Sequence, residues 1–344
     1  MNVAVIAPFQ TASFTDVAEK CAKVLRSLGH NVAMHDMNTM FFPFGKWHKL
    51  IYFNTFFLPS LVHLPRYLDL AHKVVLSFDS EGIPLRLTPF FVDVVKKCTL
   101  VTPTEWCKKN YESLGFRVEK VIPRGFDPVE LTLVDNKQVK HFKEQYHGRK
   151  IILFVGALHQ GMQHQRKGIE ELLEAFKIVH TKHPETVLLH YTNHHPHEVN
   201  VKVPKEIEPY YICERNFGAL NKGEVAVRYY ACDVYVHPAH AEGFGMPLVE
   251  AMFCYKPPVH VAGGAMQEVC GGYGVGVKVT HVECFNFMDL IEQIYCMYDP
   301  KDLAEAILWC LENPALYEEL GYHAHDYALK KYNVWEVYKE YEAV

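Results

Sequence analysis

The sequence predicts an α/β protein of two Rossmann-like halves, each a parallel sheet doubly wound with helices, facing one another across a cleft. Three observations predict it. Short apolar runs alternate with amphipathic helical stretches from the first residues onward, the pattern of a parallel sheet covered on both faces. The alternation runs in two series, separated by a polar, charged stretch at 128–149. The chain has 344 residues, about half of them apolar, which is long for one ordinary domain and enough to bury two cores.

In the first series Val3–Ala7 reads as a buried strand, and Asp16–Leu28 as a helix stopped by Gly29, since glycine readily takes the left-handed conformation that ends helices. Asn31–His35 and Leu50–Asn54 read as strands, Leu61–Ala71 as a helix, Lys73–Phe78 as a strand, Pro89–Lys97 as a helix and Thr99–Thr102 as a strand. Glu105–Leu114 is helical up to Gly115 and leads into strand Val118–Ile122. In the second series Lys150–Val155, Thr186–Tyr191, Tyr210–Cys213, Asp233–His237, Pro258–Ala262 and Gly276–Val279 read as strands. Helices at Ile169–His180 and Lys222–Cys232 lie between them, and the tail is helical from Lys301, with Asn333–Glu342 as a last amphipathic piece. The expected division is an N-terminal domain at 1–127, a connection at 128–149, a C-terminal domain at 150–330 and a final helix at 331–344. Ligands of such folds bind beyond the carboxyl ends of the strands.

Composition narrows the function. A net charge of -5 argues against a general nucleic-acid binder. The 10 cysteines show no Cys-x-x-Cys pair, so they read as reduced, mostly buried thiols of a cytoplasmic protein rather than a disulfide framework. Met1–Phe9 lacks the basic start of a signal peptide, and no apolar run is long enough to span a membrane. Of the 21 histidines, His190, His194, His195 and His197 cluster, and His237 and His240 precede an acidic motif. No His-Glu-x-x-His helix or mixed Cys/His spacing is present, so they read as solvated loop histidines and no metal site is expected. His240 stands apart because of its neighbours.

The most informative stretch is His240 to Met252. Glu242 and Glu250 flank a glycine-rich turn that feeds a helix. Pro247 suits the first helical turn, where its missing N–H is not needed. Gly243 and Gly245 let the backbone approach a ligand closely, and the free N–H groups of a helix start favour a diphosphate. Glu250, about one turn inside, is placed to accept from ribose hydroxyls. An acidic helix start alone would account for Glu250, but not for Phe244 between two glycines or for Glu242.

This run, Glu-Gly-Phe-Gly-x-Pro-x-x-Glu-Ala-Met, resembles the Glu-x7-Glu signature of retaining glycosyltransferases with the GT-B fold. That family, glycosyl transferases group 1, includes sucrose and glycogen synthases and lipopolysaccharide mannosyltransferases. The resemblance covers most of the chain and is strongest from about Lys150 to Glu268. It implies transfer of a sugar from a nucleoside diphosphate, of UDP or GDP type, to a hydroxyl of a glycan, lipid or small molecule, with no cofactor. Glu250 would bind the donor ribose. Glu242, with the backbone of Phe244 and Gly245, would position the donor sugar or face a developing positive charge, and Gly243, Met246 and Pro247 would belong to the donor site. In relatives the last helix returns to the N-terminal domain, which would place Trp335, Tyr338 and Tyr341 there.

Phe154-Val155-Gly156-Ala157 followed by Arg166-Lys167-Gly168 resembles the family segment that neutralises the leaving diphosphate. Lys167 matches the family lysine. Ala157 stands where an arginine is usual, and Arg166 is the neighbouring cation available to replace it. Fixed cations stabilise the charge that builds as the sugar–phosphate bond breaks, so no divalent metal is required. Solvated cations near a helix start are the bland reading, one the helix dipole opposes. Phe217 and Gly218 resemble the loop that cradles the base, and Gly264 and Glu268 the Gly-Gly-x-x-Glu loop near the donor; each also reads as a plain turn.

The N-terminal half departs from the family. Pro8–Ser13 lacks the glycines of the usual loop. Phe78 or Asp79 stands where relatives carry a histidine, which leaves Asp79 and Glu81 as candidates for binding or deprotonating the acceptor. Arg124 replaces the asparagine of a Pro-Asn-Gly-x-Asp hinge. The aromatic, weakly basic stretch Met40–Leu64, with Trp47, Lys46 and Lys49, reads either as core or as a surface for peripheral membrane contact. Two other readings stay open: a non-catalytic binder of nucleotide sugars or glycans, and an epimerase on the same fold.

Overall fold

The computed structural model describes residues 1–39, 45–131, 134–162 and 164–344. It divides into two units: Met1–Asp127 with Cys284–Ile294 and Tyr332–Val344, and Pro128–Glu283 with Tyr295–Lys331. The first unit contains β1 (Asn2–Ala7), α1 (Ala12–Ser27), β2 (Asn31–Asp36), β3 (Trp47–Thr55), α2 (Leu58–Leu61), α3 (Leu64–Leu70), β4 (Ala71–Asp79), β5 (Gly82–Pro84), α4 (Pro89–Lys96), β6 (Thr99–Thr102), α5 (Glu105–Ser113) and β7 (Val118–Val121). Its sheet has the order β2-β1-β3-β4-β6-β7, all parallel. The two-residue period of β1 explains why both faces are covered. Val3, Val5 and Ala7 enter one core with α1, while Ala4 and Ile6 enter the other with Leu61, Leu64 and Tyr67.

The second unit contains α6 (Asn136–Glu144), β8 (Lys150–Val155), α7 (Ile169–Lys182), β9 (Thr186–Tyr191), β10 (Tyr211–Glu214), α8 (Lys222–Ala231), β11 (Val234–His237), α9 (Met246–Phe253), β12 (Val259–Val261), α10 (Gly264–Cys270) and β13 (Val275–Val277). Its sheet has the order β10-β9-β8-β11-β12-β13, again parallel. The order reverses direction between β8 and β11, and ligands of such sheets bind at that switch point, outside the carboxyl ends of the two strands. The loops after β8 and β11 carry Arg166–Lys167 and Glu242.

Three features differ from the sequence reading. The stretch at 128–149 lies in the second unit and holds α6, which Asp135 and Gln138 cap reciprocally. A hairpin follows β13, made of β14 (His281–Phe287) and β15 (Ile291–Met297), and β15 pairs antiparallel with β5. Its residues Cys284–Ile294 therefore belong to the first unit, although they fall inside 150–330. The chain then continues through α11 (Pro300–Glu312), α12 (Pro314–Tyr332) and α13 (Val334–Val337), and a 3-10 turn at Tyr338–Glu342 ends it. Tyr338 and Tyr341 are buried in the first unit's core, with Trp335 packed beside them.

Of the aromatic stretch at 40–64, residues 40–44 lie outside the described residues. Tyr52, Phe53 and Phe56 are buried, Trp47 packs partly against the core that holds Tyr52 and Phe56, and Lys49 is buried with Nζ donating to the carbonyls of Tyr341 and Glu342. The reading of the clustered histidines as solvated is corrected for His190, His237 and His240, which are fully buried. The first two sit on interior strands, where flanking apolar residues cover both faces. Among the described residues no helix is long and apolar enough to cross a membrane. The cysteines are free thiols, with Cys284 exposed.

Candidate active site

The loop that follows β8 folds back on itself before α7 begins. Gln165, buried, braces it: its side chain donates to the His159 carbonyl and accepts from the His159 N–H. The loop ends at Gly168, whose φ of +67 is left-handed. A Cβ there would stand 2.0 Å from the Pro238 carbonyl oxygen, so only glycine lets this loop meet the one after β11. The His240 N–H adds a bond of 2.9 Å to the Arg166 carbonyl.

This contact brings Arg166, Lys167 and Glu242 together, though 75 or more positions separate them. Lys167 Nζ pairs with Glu242 Oε1. Arg166 Nη1 lies 3.1 Å from Glu242 Oε2 and 2.6 Å from the Ala241 carbonyl. All three side chains are largely buried, Glu242 being 6% exposed. Burial alone would raise the Glu242 carboxyl, but Lys167 and Arg166 outweigh it and hold it well below the usual carboxylate range. Arg166 and Lys167 are thus not solvated surface cations.

His237, unassigned by the sequence reading, completes the cluster. Its Nε2 lies 3.1 Å from Glu242 Oε1, and its Nδ1 lies 3.1 Å from the Tyr235 hydroxyl. Burial lowers its pKa, against the pull of Glu242. A neutral ring that donates from Nε2 and accepts at Nδ1 satisfies both contacts. The signal was present in the sequence as a histidine at the end of a strand five residues before Glu242.

Glu250 lies one turn into α9, as the spacing implies, and is 9% exposed. Lys222 Nζ is 3.1 Å from its Oε1, and the Tyr229 hydroxyl donates to Oε2 at 3.1 Å. Lys222 and Tyr229 were not singled out from the sequence. Gly245 precedes α9 with a φ of +90, and a Cβ there would come within 3.6 Å of Glu242 Cγ. Phe244 and Gly243 are buried in the same turn, and Met246 and Pro247 form the first helical positions.

The remaining candidates on this unit follow the carboxyl ends of neighbouring strands. Gly156 directly follows β8; its carbonyl lies 3.0 Å from His190 Nε2, and a Cβ would strike the Phe154 ring. Phe217 packs on Tyr191, whose hydroxyl accepts from the Gly218 N–H, so the loop is fixed by the end of β9. Gly264 starts α10 after β12, and Glu268 is half-buried one turn on. Asp79 belongs to the first unit, at the end of β4. Its Oδ2 is 3.4 Å from Arg124 Nη2, and burial pushes its pKa up to about 6 against the pull of Arg124. Arg124 is buried and also binds the Ser77 hydroxyl and carbonyl.

A family model described as Glycosyl transferases group 1 matches residues 135–327. A protein of Sulfolobus islandicus rod-shaped virus 1, described as uncharacterized glycosyltransferase 335, is 25% identical over 259 residues, covering 72% of each chain. Sucrose-phosphate synthase from Thermosynechococcus elongatus is similar in structure, with a TM-score of 0.72 and 15% identity over 100% of this chain and 98% of that one. Anabaena Alr3699/HepE in complex with UDP gives a TM-score of 0.69 and 14% identity over 100% and 99%. At such identities the likeness speaks for the fold, which is GT-B, with two six-stranded parallel sheets.

Proposed function

The chain belongs to the glycosyl transferases group 1 family, and on that premise we propose that it moves a sugar from a nucleoside diphosphate to an acceptor hydroxyl with retention at the anomeric carbon. The observation that carries this reading is the buried cluster of Arg166 and Lys167 on Glu242, at the switch point of a Rossmann-like sheet. The HepE structure contains UDP, which supports a uridine or similar nucleotide here. Glu250 accepts from the ribose hydroxyls, displacing Lys222. Lys167 leaves Glu242 for the diphosphate, and Arg166 fills the place of the missing family arginine.

As the anomeric C–O bond breaks, its electron pair stays on the β-phosphate, and the two cations stabilise that charge. The acceptor oxygen bonds to the anomeric carbon on the same face and passes its proton to the departing phosphate. No metal or cofactor takes part. The acceptor is a glycan, lipid or small molecule, with Asp79 as a group that contacts it.

The test is thermal stabilisation by a panel of nucleoside diphosphates. A ligand at one hundred times its Kd adds about 2.7 kcal/mol, so UDP or GDP raises the melting temperature measurably. Lys167→Ala and Glu250→Ala weaken that response, and Lys167→Ala slows turnover by roughly 100-fold or more. Silence toward every nucleotide overturns the reading. Tight binding with no slow hydrolysis of a sugar nucleotide turns it into that of a non-catalytic binder, an alternative favoured by Ala157 in the arginine position.

A further inference from the structure

Beside the Glu242 cluster, on the same unit, lie three side chains that the proposed chemistry does not use: His164, Glu171 and His240. One ligand atom from each falls within 4.8 Å of the others. His240 Nε2 is 3.0 Å from Glu171 Oε2, and His164 Nε2 is 3.1 Å from Glu171 Oε1. Donors at about 2.0–2.2 Å from one zinc-like ion stand about 3–3.5 Å apart, so both contacts have the spacing of a shared coordination sphere. We propose that His164, Glu171 and His240 bind a divalent first-row metal ion of the zinc class, in a positioning rather than a catalytic role.

The tautomer of His240 points the same way. Its Nδ1 lies 3.3 Å from the Cys296 carbonyl oxygen, which only an N–H can satisfy. A metal-bound histidine commonly donates its other ring N–H to a backbone carbonyl in this manner. The neutral ring then turns the Nε2 lone pair toward a carboxylate oxygen, a repulsive contact unless a cation intervenes. A proton shared along the 3.0 Å line would need a well-aligned hydrogen bond. That alignment is missing: His240 Nε2 and Glu171 Oε2 are both buried without a hydrogen-bond partner of acceptable geometry. A metal ion at a third point needs no alignment between the two atoms. The ring cannot easily turn away, because Tyr295 and Tyr298 stack on it at 5.5 and 5.0 Å. Three protein ligands leave one position for water.

The ion's place explains its use. Glu171 lies in the first turn of α7, four residues after Lys167, and His240 lies two residues before Glu242. An ion here staples the two loops whose meeting brings Lys167 and Arg166 onto Glu242. The spacing of the three ligands matches no linear motif, because His164 and Glu171 flank the start of α7 while His240 comes from the loop after β11.

Chelator-stripped protein titrated with zinc against a competing chromophoric chelator tests the site. One ion binds per chain and raises the melting temperature, and cobalt(II) in its place gives visible d–d bands. Glu171→Gln weakens zinc binding by more than about 100-fold, beyond what loss of an outer partner does. Should that variant not fold, His164→Ala, at a half-buried position, serves instead and loses the cobalt bands. A His195→Ala/His197→Ala control keeps full binding, which excludes the neighbouring loop histidines. No zinc binding to the wild type, or equal binding to the ligand variants, overturns the site. Nucleotide-induced stabilisation, measured separately, keeps this outcome distinct from that of the transferase reading.

Discussion

At the scale of single residues, the balance of charge around Glu242 decides both stability and readiness for a ligand. A carboxylate 6% exposed remains ionised because Lys167, Arg166 and His237 all reach it. The converse holds for the cations: they remain buried because Glu242 is there. Glu242→Gln leaves two buried cations without their counter-charge, a change of the kind that costs about 3–5 kcal/mol. Lys167→Ala leaves Glu242 paired with Arg166 and His237, so its loss is clearly smaller. A diphosphate supplies the missing negative charge, so UDP or GDP recovers more stability in Glu242→Gln than in the wild type. Urea unfolding of the two variants with and without nucleotide reads both effects. Equal losses in the two variants would show that the cluster is not organised around the carboxylate.

At the scale of elements, close backbone approaches hold the functional loops, and glycines mark them. Gly168→Ala puts a methyl 2.0 Å from the Pro238 carbonyl at a φ of +67. Backbone cannot yield as a flexible side chain can, so a loss above about 2 kcal/mol is expected, with separation of the α7 loop from the β11 loop. Gly245→Ala meets the Leu248 Cδ1 at 2.9 Å, the movable end of a side chain, and loses less. Gly82→Ala meets the Glu292 carbonyl at 1.9 Å and parts β5 from β15. Hydrogen exchange resolved by segment distinguishes the three, with faster exchange at 156–168 for the first and at 290–294 for the third. These contacts also explain what the sequence conveys and what it hides. The strands of both parallel sheets were legible because burial on two faces makes continuous apolar runs, such as Lys150–Val155. The hairpin was not. β14 is mostly exposed, and the turn uses Met288 and Asp289 at positive φ in place of an Asn-Gly signal. In the site, Glu242, Glu250 and Lys167 were legible as motifs on single segments. The Gly168–Pro238 contact was hidden because it arises only when two distant loops meet.

At the scale of the whole molecule, the two units should answer acid unequally. In the second unit, burial lowers His190 from 6.5 to about 3 and His260 from 6.5 to about 4. A depressed histidine contributes stability that is complete above its unfolded pKa of 6.5 and is lost as pH falls toward the folded value. Each such group sets a slope of up to about 1.4 kcal/mol per pH unit, so the pair together sets up to about 2.7. In the first unit, Asp79 is raised from 3.8 to about 6. Its contribution is complete below 3.8 and is lost as pH rises through about 6, so at this group acidification is stabilising. Partial exposure of Asp79, 18% of its side chain, screens that gain and makes it the smaller effect. Between pH 6.5 and 4.5 the second unit therefore weakens more than the first, where the loss at His35, whose pKa burial also lowers, is set against the gain at Asp79. Below 4.5 the Glu242 carboxylate adds to the second unit's loss, since its depressed pKa contributes stability only above that range. Hydrogen exchange at β8, β9 and β12 should accelerate on acidification before exchange at β1, β3 and β4 does. His190→Phe, which keeps a ring against Phe154, should lower the second unit's slope by up to about 1.4 kcal/mol per pH unit, at some loss of stability at neutral pH, because the Tyr211 hydroxyl loses its partner. Exchange that speeds up equally in both sheets, or a slope unchanged in His190→Phe, would mean that these buried histidines do not govern the acid response.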